Sequence, residues 1–200
     1  MGKREVAILN TGVANIASVK AGLERGGANT RFVDQVEEVV AAERLIFPGV
    51  GAFGAGMAGL EEKGVAEALR SRFERDEPTM AICLGLQLLF EESEESPGVA
   101  GLGVVSGKVE RFSRSLRVPQ FGWNQVQAGE GSRFLSDGYA YFANSYAVRE
   151  VPPGWLGSFS DYGGSFVAAM ERGRCLACQF HPEISGPWGQ EVLNRWLNQG

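Results

Sequence analysis

The first half of the chain alternates short apolar runs with longer stretches in which apolar residues recur at helical spacing. Four of the apolar runs occur before residue 90, at Val6–Leu9, Thr30–Val33, Leu45–Phe47 and Thr79–Cys83. Runs of this length, bounded by glycine, proline or polar residues, predict strands that are covered on both faces of a sheet.

Three stretches next to these runs carry apolar residues on one helical face. They are predicted to be helices: Asn15 to a stop at Gly26-Gly27, Met57 to Glu74 with an interruption at Gly64, and Leu84 to Glu92. Strands that alternate with helices need crossover connections. The first half therefore predicts a mainly parallel sheet.

The second half changes to strands joined by short turns that contain glycine and proline. The predicted strands are Val104–Phe112, Val118–Val126, Tyr139–Ala143, Trp155–Phe159, Phe166–Glu171 and Cys175–Phe180. A final helix is predicted near Gln190–Asn198. We therefore expect an α/β fold, with an open, mainly parallel sheet, helices on both faces and an antiparallel extension, in a single domain over residues 1–200.

Composition narrows the possible partners. The 200 residues are 44% hydrophobic and 22% charged, and the net charge is −5 with both signs interspersed. The sequence has no basic stripe, which argues against a nucleic-acid partner. It also has no basic amphipathic helix, which argues against binding to a membrane surface. The start, MGKREVAILN, runs directly into a strand pattern rather than a signal peptide. Three cysteines are too few and odd in number for a disulfide framework, so we expect a cytoplasmic protein.

The stretch AICLG at residues 81–85 has a small residue two positions before and two positions after its cysteine. This is the spacing of a nucleophile elbow, the sharp strand-to-helix turn that presents a nucleophile at its apex. There the helix N-terminus would favour a thiolate at Cys83, the Leu84 N–H could bind an oxyanion, and Gln87 would face the same crevice. Because free cysteines are often buried, a core thiol at a strand end is the alternative.

The chain has one histidine, His181, in the stretch CQFHPE at residues 178–183. Pro182 cannot continue a strand ladder, so the imidazole should lie at the edge of the sheet. Glu183 is close enough in sequence to orient it. A lone histidine is more often a surface or core residue. However, a thiol nucleophile needs a base and histidine is the usual one, so Cys83 and His181 together favour a catalytic pair.

Residues 46–54, IFPGVGAFG, predict a strand, a glycine turn and a helix start. The turn lacks the lysine of a phosphate loop and the spacing of a dinucleotide loop. We interpret the N–H groups of Gly49, Val50 and Gly51 as further oxyanion donors beside Cys83. A plain tight turn is the alternative.

Cys175, Cys178 and His181 have spacings that occur among metal ligands. In an extended strand, residues three apart point to opposite faces, so the two thiols cannot converge on one ion. We therefore expect core cysteines and no metal site.

Together these features resemble a class-I, triad-type glutamine amidotransferase over essentially the whole chain. Cys83 and the His181–Glu183 pair match that family's nucleophile and histidine–glutamate pair. Within the family the chain resembles the glutaminase subunits of imidazole glycerol phosphate synthase. Four segments carry this second resemblance: Asn10 to Asn15, PGVG at 48–51, PQFGWN at 119–124 and NSY at 144–146.

The resemblance implies a glutaminase that needs no cofactor and forms a thioester at Cys83. The implied site residues are the triad Cys83, His181 and Glu183, the oxyanion donors Leu84, Gly49, Val50 and Gly51, and the glutamine-binding residues Gln87, Ser145 and Tyr146. Ammonia would pass to a separate (β/α)₈-barrel cyclase subunit, in a heterodimer that makes imidazole glycerol phosphate for histidine synthesis. Asn15 and Trp123 are candidate interface residues, with a core position as the alternative for Trp123.

Two positions depart from the family, which commonly has histidine where this chain has Gln120 and Asn144. The amides of Gln120 and Asn144 keep hydrogen-bonding capacity but do not titrate. Any interface or signalling role that the family's histidines have is therefore in doubt for this chain. Subunits that serve anthranilate, pyridoxal phosphate or purine synthesis are the alternatives within the enzyme class. A non-catalytic partner-binding protein of the same fold is the alternative outside it.

Overall fold

The structure is a computed structural model that describes residues 4–11 and 16–200. Its strands are β1 (Glu5–Leu9), β2 (Asn29–Val33), β3 (Leu45–Gly49), β4 (Thr79–Cys83), β5 (Glu92–Ser93), β6 (Lys108–Arg111), β7 (Gln120–Val126), β8 (Gly138–Asn144), β9 (Tyr146–Ala147), β10 (Leu156–Asp161), β11 (Ser165–Arg172) and β12 (Cys175–Cys178). Its α-helices are α1 (Ile16–Arg25), α2 (Val36–Ala41), α3 (Phe53–Glu62), α4 (Ala66–Glu74), α5 (Leu84–Gln87) and α6 (Gly186–Gln199). The predicted helix start at Asn15 lies outside the described residues.

Seven strands form the main sheet in the order β10-β11-β12-β4-β3-β1-β2. The five strands from β12 to β2 pair in parallel, whereas β11 pairs antiparallel with both of its neighbours. The predicted parallel sheet with an antiparallel extension is therefore confirmed. The carboxyl ends of β3, β4 and β12 meet at one edge, which is where ligands bind in open α/β sheets.

Helices cover both faces of this sheet, as predicted. On one face Phe53 of α3 and Phe73 of α4 share an apolar layer with Phe47 of β3. On the other face Leu23 of α1 and Trp196 of α6 belong to a second layer. Successive residues of β1 and β3 alternate between the two layers, as a strand buried on both sides requires.

Two predicted elements were much too long, while the helices predicted from Met57 and near Gln190 begin earlier, at Phe53 and Gly186. The helix predicted to reach Glu92 ends at Gln87, because the following carbonyl groups accept hydrogen bonds from a distant loop. The Leu88 oxygen accepts from the Leu102 N–H at 2.8 Å, and the Leu89 oxygen accepts from Val105 at 3.2 Å. The strand predicted over 104–112 is limited to β6, and the short helix α2 was not predicted.

The remaining strands form two small sheets beside the main one. The antiparallel ribbon β7–β8 pairs along its whole length, from Gln120↔Asn144 to Val126↔Gly138. The backbone N–H of His181 donates to the Tyr141 oxygen at 3.0 Å, which ties this ribbon to the edge where β4 and β12 end. Within residues 4–11 and 16–200, none of the helices has the length and apolarity to cross a bilayer.

Candidate active site

The turn at the end of β4 holds Cys83 in a strained backbone conformation. Its φ of 57° and ψ of −112° lie in a region that glycine adopts readily and that costs other residues about 1–3 kcal/mol. Ala81 and Ile82 occupy opposite apolar layers, and Cys83 joins the layer of Ile82 instead of alternating back. Strain of this kind persists only where surrounding structure imposes it, which fits a nucleophile elbow better than an ordinary strand end.

Two glycines allow the elbow to pack against β3. A Cβ atom on Gly85 would lie 2.3 Å from the carbonyl oxygen of Phe47. A Cβ on Gly49 would lie 2.9 Å from the Gly85 nitrogen. The end of β3 and the start of α5 therefore contact each other backbone to backbone. This close approach explains why a residue without a side chain is needed at Gly85, two positions after Cys83.

His181 reaches the elbow because β12 lies beside β4, with Cys178 opposite Ile82. Pro182 begins a short 3-10 helix, Pro182–Ile184, which ends the extended chain at the histidine. The imidazole Nδ1 lies 2.8 Å from Glu183 Oε1, and the Cys83 side chain is close enough to raise the pKa of the ring. Thiol, imidazole and carboxylate thus stand in series.

Burial of His181 by itself lowers its pKa, but the hydrogen bonds and charges of Cys83 and Glu183 outweigh this effect and raise the pKa to about 10. The protonated imidazole is therefore the favoured form in the folded protein. Glu183 is itself buried, and its Oε2 has no hydrogen-bond partner among the described residues. The series can hold a thiolate beside an imidazolium, which is the arrangement an activated cysteine needs.

The elbow opens into a cavity of about 240 Å³. Its lining residues are Val50, Gly51, Cys83, Leu84, Gln87, Glu95, Ala143, Asn144, Ser145, Tyr146 and His181. All the triad, oxyanion and glutamine-binding residues expected from sequence line it except Gly49 and Glu183. Gly49 lies opposite Cys83 in the sheet, and Glu183 lies behind His181.

The glycine turn is followed directly by the N-terminus of α3, and Glu95 anchors that helix end. The Phe53 N–H donates to Glu95 Oε2 at 2.6 Å, and the Gly54 N–H donates to Ser96 Oγ at 3.0 Å. Gly51 has a φ of +99°, so the turn uses a conformation that favours glycine. Sequence reasoning did not single out Glu95, which lies in an acidic run and contacts a helix 42 residues away.

Side-chain amides form a connected series behind the thiol. Gln87 Nε2 donates to the Tyr146 carbonyl oxygen at 3.1 Å and to Gln179 Oε1 at 2.9 Å. Gln179 Nε2 in turn donates to Cys83 Sγ at 3.8 Å. The two N–H groups of Gln87 are therefore both engaged, and its oxygen is left as an acceptor at the cavity wall. Sequence reasoning missed Gln179; its position two residues before His181 was the available signal.

The two cysteines of β12 lie on opposite sides of the sheet. Cys175 belongs to one apolar layer and Cys178 to the other, as predicted for residues three apart on a strand. Burial raises the pKa of Cys175 to about 12 and also raises that of Cys178. Across residues 4–11 and 16–200, no group of three or more His, Cys, Asp or Glu side chains is placed to hold a metal ion.

The two candidate interface residues have different outcomes. Asn15 lies outside the described residues. Trp123 is 57% exposed on β7, so the alternative of a core position was wrong. Two further exposed aromatic residues, Phe121 and Tyr139, lie on the same β7–β8 ribbon.

Gln120 and Asn144, which stand where the family commonly has histidine, are cross-strand partners at one end of the ribbon and are both buried. Asn144 Nδ2 donates to the Tyr146 oxygen at 2.9 Å. Asn144 therefore supports the cavity wall, while Gln120 lies outside the cavity lining.

The model of the glutamine amidotransferase class-I family matches residues 8–199. A protein of Arabidopsis thaliana described as "Imidazole glycerol phosphate synthase hisHF, chloroplastic" is 44% identical over 202 residues, which cover 96% of this chain and 34% of that protein. The chain thus spans about a third of that relative. The "Imidazole glycerol phosphate synthase subunit HisH" of Synechococcus sp. (strain JA-2-3B'a(2-13)) is 38% identical over 98% of this chain and 94% of that protein.

A solved structure titled "Crystal structure of glutamine amidotransferase" superposes with a TM-score of 0.75 over 96% of both chains. At 24% identity this likeness shows a shared fold. The family match and the two relatives carry the assignment further, since they cover nearly the whole chain. The chain belongs to the class-I glutamine amidotransferases, among the HisH subunits of imidazole glycerol phosphate synthase.

Proposed function

We propose that this chain hydrolyses glutamine to glutamate and ammonia through a thioester at Cys83, as the glutaminase subunit of imidazole glycerol phosphate synthase. The observation that carries the proposal is the series Cys83, His181 and Glu183 at a strained elbow that lines a cavity. Cysteine nucleophiles are activated by an adjacent base that a third group orients, and this series has all three parts.

In the first half-reaction the Cys83 thiolate bonds to the side-chain amide carbon of glutamine. The carbonyl electron pair moves to oxygen, where N–H groups of Leu84 and of the Gly49–Gly51 turn hold the charge. His181 delivers the thiol's proton to the leaving nitrogen as the carbon–nitrogen bond breaks. Ammonia departs and a γ-glutamyl thioester remains.

In the second half-reaction water attacks the thioester and gives a proton to His181. The tetrahedral intermediate collapses, the carbon–sulfur bond breaks, and glutamate is released. Glu183 keeps the imidazole oriented through both steps, because its carboxylate accepts a hydrogen bond from Nδ1. Cys83, His181 and Glu183 are all buried, and the lower effective dielectric around buried groups strengthens their interactions.

The amino-acid end of glutamine would be held by residues that line the cavity beside the elbow. The free oxygen of Gln87 and the Glu95 carboxylate are the acceptors that an α-ammonium group requires. Ser145 and Tyr146 line the same cavity and offer backbone groups for the α-carboxylate. These contacts select an amino acid over a simple amide.

The ammonia would pass to a separate cyclase subunit that makes imidazole glycerol phosphate and aminoimidazole carboxamide ribotide. Two observations support a partner. One relative is named as a subunit of a synthase, and the other, named as the synthase, continues well beyond the match. The exposed aromatic residues Phe121, Trp123 and Tyr139 form a patch of the kind that protein interfaces bury. We place this heterodimer in the cytoplasm, which the three free cysteines support.

The glutaminase proposal is tested with a glutamine-analogue alkylator and peptide mass spectrometry. The label is expected on Cys83, and Cys83→Ala should abolish ammonia release from glutamine while leaving partner binding intact. Cys175 and Cys178 are internal controls, because burial keeps both thiols protonated at neutral pH. Label on either of them instead of Cys83 would contradict the mechanism.

The partner is tested by titration with the cyclase subunit and by glutaminase assays with and without the cyclase ligand. Trp123→Ala should weaken the complex by about 30-fold, the usual loss for an aromatic anchor. Phe32→Ala is the matched control. Phe32 is also an exposed aromatic residue, 48% exposed, but it lies on β2, at the other end of the main sheet from β10. A glutaminase rate that no cyclase changes would count against the histidine-pathway assignment.

A further inference from the structure

We propose that Gln179 is a further catalytic residue, whose side-chain amide donates a hydrogen bond to the Cys83 thiolate. Gln87 fixes the direction in which that amide points. This inference rests on the proposed function, since it concerns the thiol that forms the thioester.

Gln179 is held rigidly between β12 and His181. It is fully buried, and its backbone N–H donates to the Ala168 oxygen at 2.8 Å. Its Nε2 lies 3.8 Å from Cys83 Sγ, although the two residues are 96 positions apart in sequence. A buried amide that is aimed at the reacting atom is placed to act on its charge.

The orientation of this amide follows from its other contact. Gln87 Nε2 donates to Gln179 Oε1 at 2.9 Å, so the oxygen faces Gln87 and the NH₂ group faces the sulfur. Gln87 is oriented in turn, because its Nε2 also donates to the Tyr146 carbonyl oxygen at 3.1 Å. A rotated Gln179 amide would place two NH₂ groups against each other and an oxygen against the thiolate, which is unfavourable at both ends.

The charged groups around the thiol explain why such a donor matters. His181 is the cation at the thiol, the Glu183 carboxylate lies behind it, and the Glu95 carboxylate lines the same cavity. His181 loses its proton to the departing ammonia. Gln179 does not titrate, so its hydrogen bond remains available when the thioester breaks and the sulfur leaves as thiolate.

The test uses the full-length chain and follows iodoacetamide alkylation of Cys83 by peptide mass spectrometry between pH 5 and pH 10. Gln179→Met removes the donor and keeps the side-chain length. A hydrogen bond to a charged group shifts the equilibrium constant for forming that charged group by about tenfold or more. Alkylation of the variant at neutral pH should therefore be about tenfold slower than in the wild type. The difference between the two rates should shrink toward the highest pH, because the donor assists only the formation of the thiolate.

A matched control and a second variant separate this role from a structural one. Gln120→Met makes the same change at another buried glutamine that lies outside the cavity lining, and it should leave the alkylation profile unchanged. Gln179→Glu keeps an acceptor for Gln87 but sets a carboxylate oxygen against the sulfur. It should slow alkylation at neutral pH more than Gln179→Met, and it decides the question if the methionine variant does not fold.

Either of two outcomes would overturn the role of Gln179. One is a profile equal to that of the wild type. The other is a rate reduced by the same factor at every pH, which would indicate altered access to the thiol. The proposed function fails separately, if the wild-type chain releases no ammonia from glutamine and a glutamine analogue does not label Cys83.

Discussion

Replacing Gly85 with alanine tests whether the backbone contact between β3 and the elbow sets the geometry of the site. The added Cβ would lie 2.3 Å from the Phe47 carbonyl oxygen, and Cβ atoms in real structures essentially never approach closer than 3.0 Å. The two segments must therefore separate by at least about 0.7 Å, the difference between these distances. The obstacle is backbone on a central strand, so no side-chain rotation relieves it.

The size of the effect follows from this displacement. Overpacking a well-packed core costs about 1–3 kcal/mol of the free energy of unfolding. A misplacement of about 1 Å at a reacting centre costs about 100-fold in rate. Gly85→Ala should thus lose about 1–3 kcal/mol in urea unfolding and about 100-fold in kcat/KM for glutamine hydrolysis.

Gly59→Ala is the matched control for this experiment. Gly59 lies within α3, and an added Cβ meets no atom within 4 Å. Alanine there should raise the free energy of unfolding by about 0.5–1 kcal/mol and leave hydrolysis unchanged. If Gly85→Ala retained wild-type stability and kcat/KM, the claim that backbone contact positions the thiol would be refuted.

Three further predictions concern strain, pH and a buried cation. Cys83→Gly should unfold in urea with about 1 kcal/mol more stability than Cys83→Ala, because glycine relieves the positive φ, while both variants lose glutamine hydrolysis. The raised pKa of His181 contributes stability that is complete below its unfolded value of 6.5 and is lost as pH rises through about 10. Urea unfolding from pH 6 to pH 10.5 should show this loss, and in Glu183→Gln it should begin at lower pH. Arg72→Met should cost about 3–5 kcal/mol in the same assay, because the buried Arg72 guanidinium donates to the Val39 and Ala42 carbonyls and pairs with Glu77.

Local sequence patterns were enough to predict the bounds of strands that are buried on both faces. The runs at Val6–Leu9 and Thr79–Cys83 predicted β1 and β4 to within a residue, because a strand covered on both faces must be apolar at successive positions. The same patterns overextended the helix after Cys83. Leu88 and Leu89 continue the helical pattern of apolar residues, but their carbonyl groups accept hydrogen bonds from residues 102 and 105. Nothing in the neighbouring sequence predicts these contacts.

The sequence by itself determined which chemistry was available. It has one histidine, a glutamate two positions later, and a cysteine between small residues, and these types at these spacings predicted a thiol–imidazole–carboxylate series. Only the tertiary structure decided which other groups join it. Gln179 contacts a sulfur 96 positions away and Glu95 contacts a helix 42 positions away. Contacts of this range depend on how strands are ordered in the sheet and how loops fold back over it, and periodicity along the chain carries no information about either.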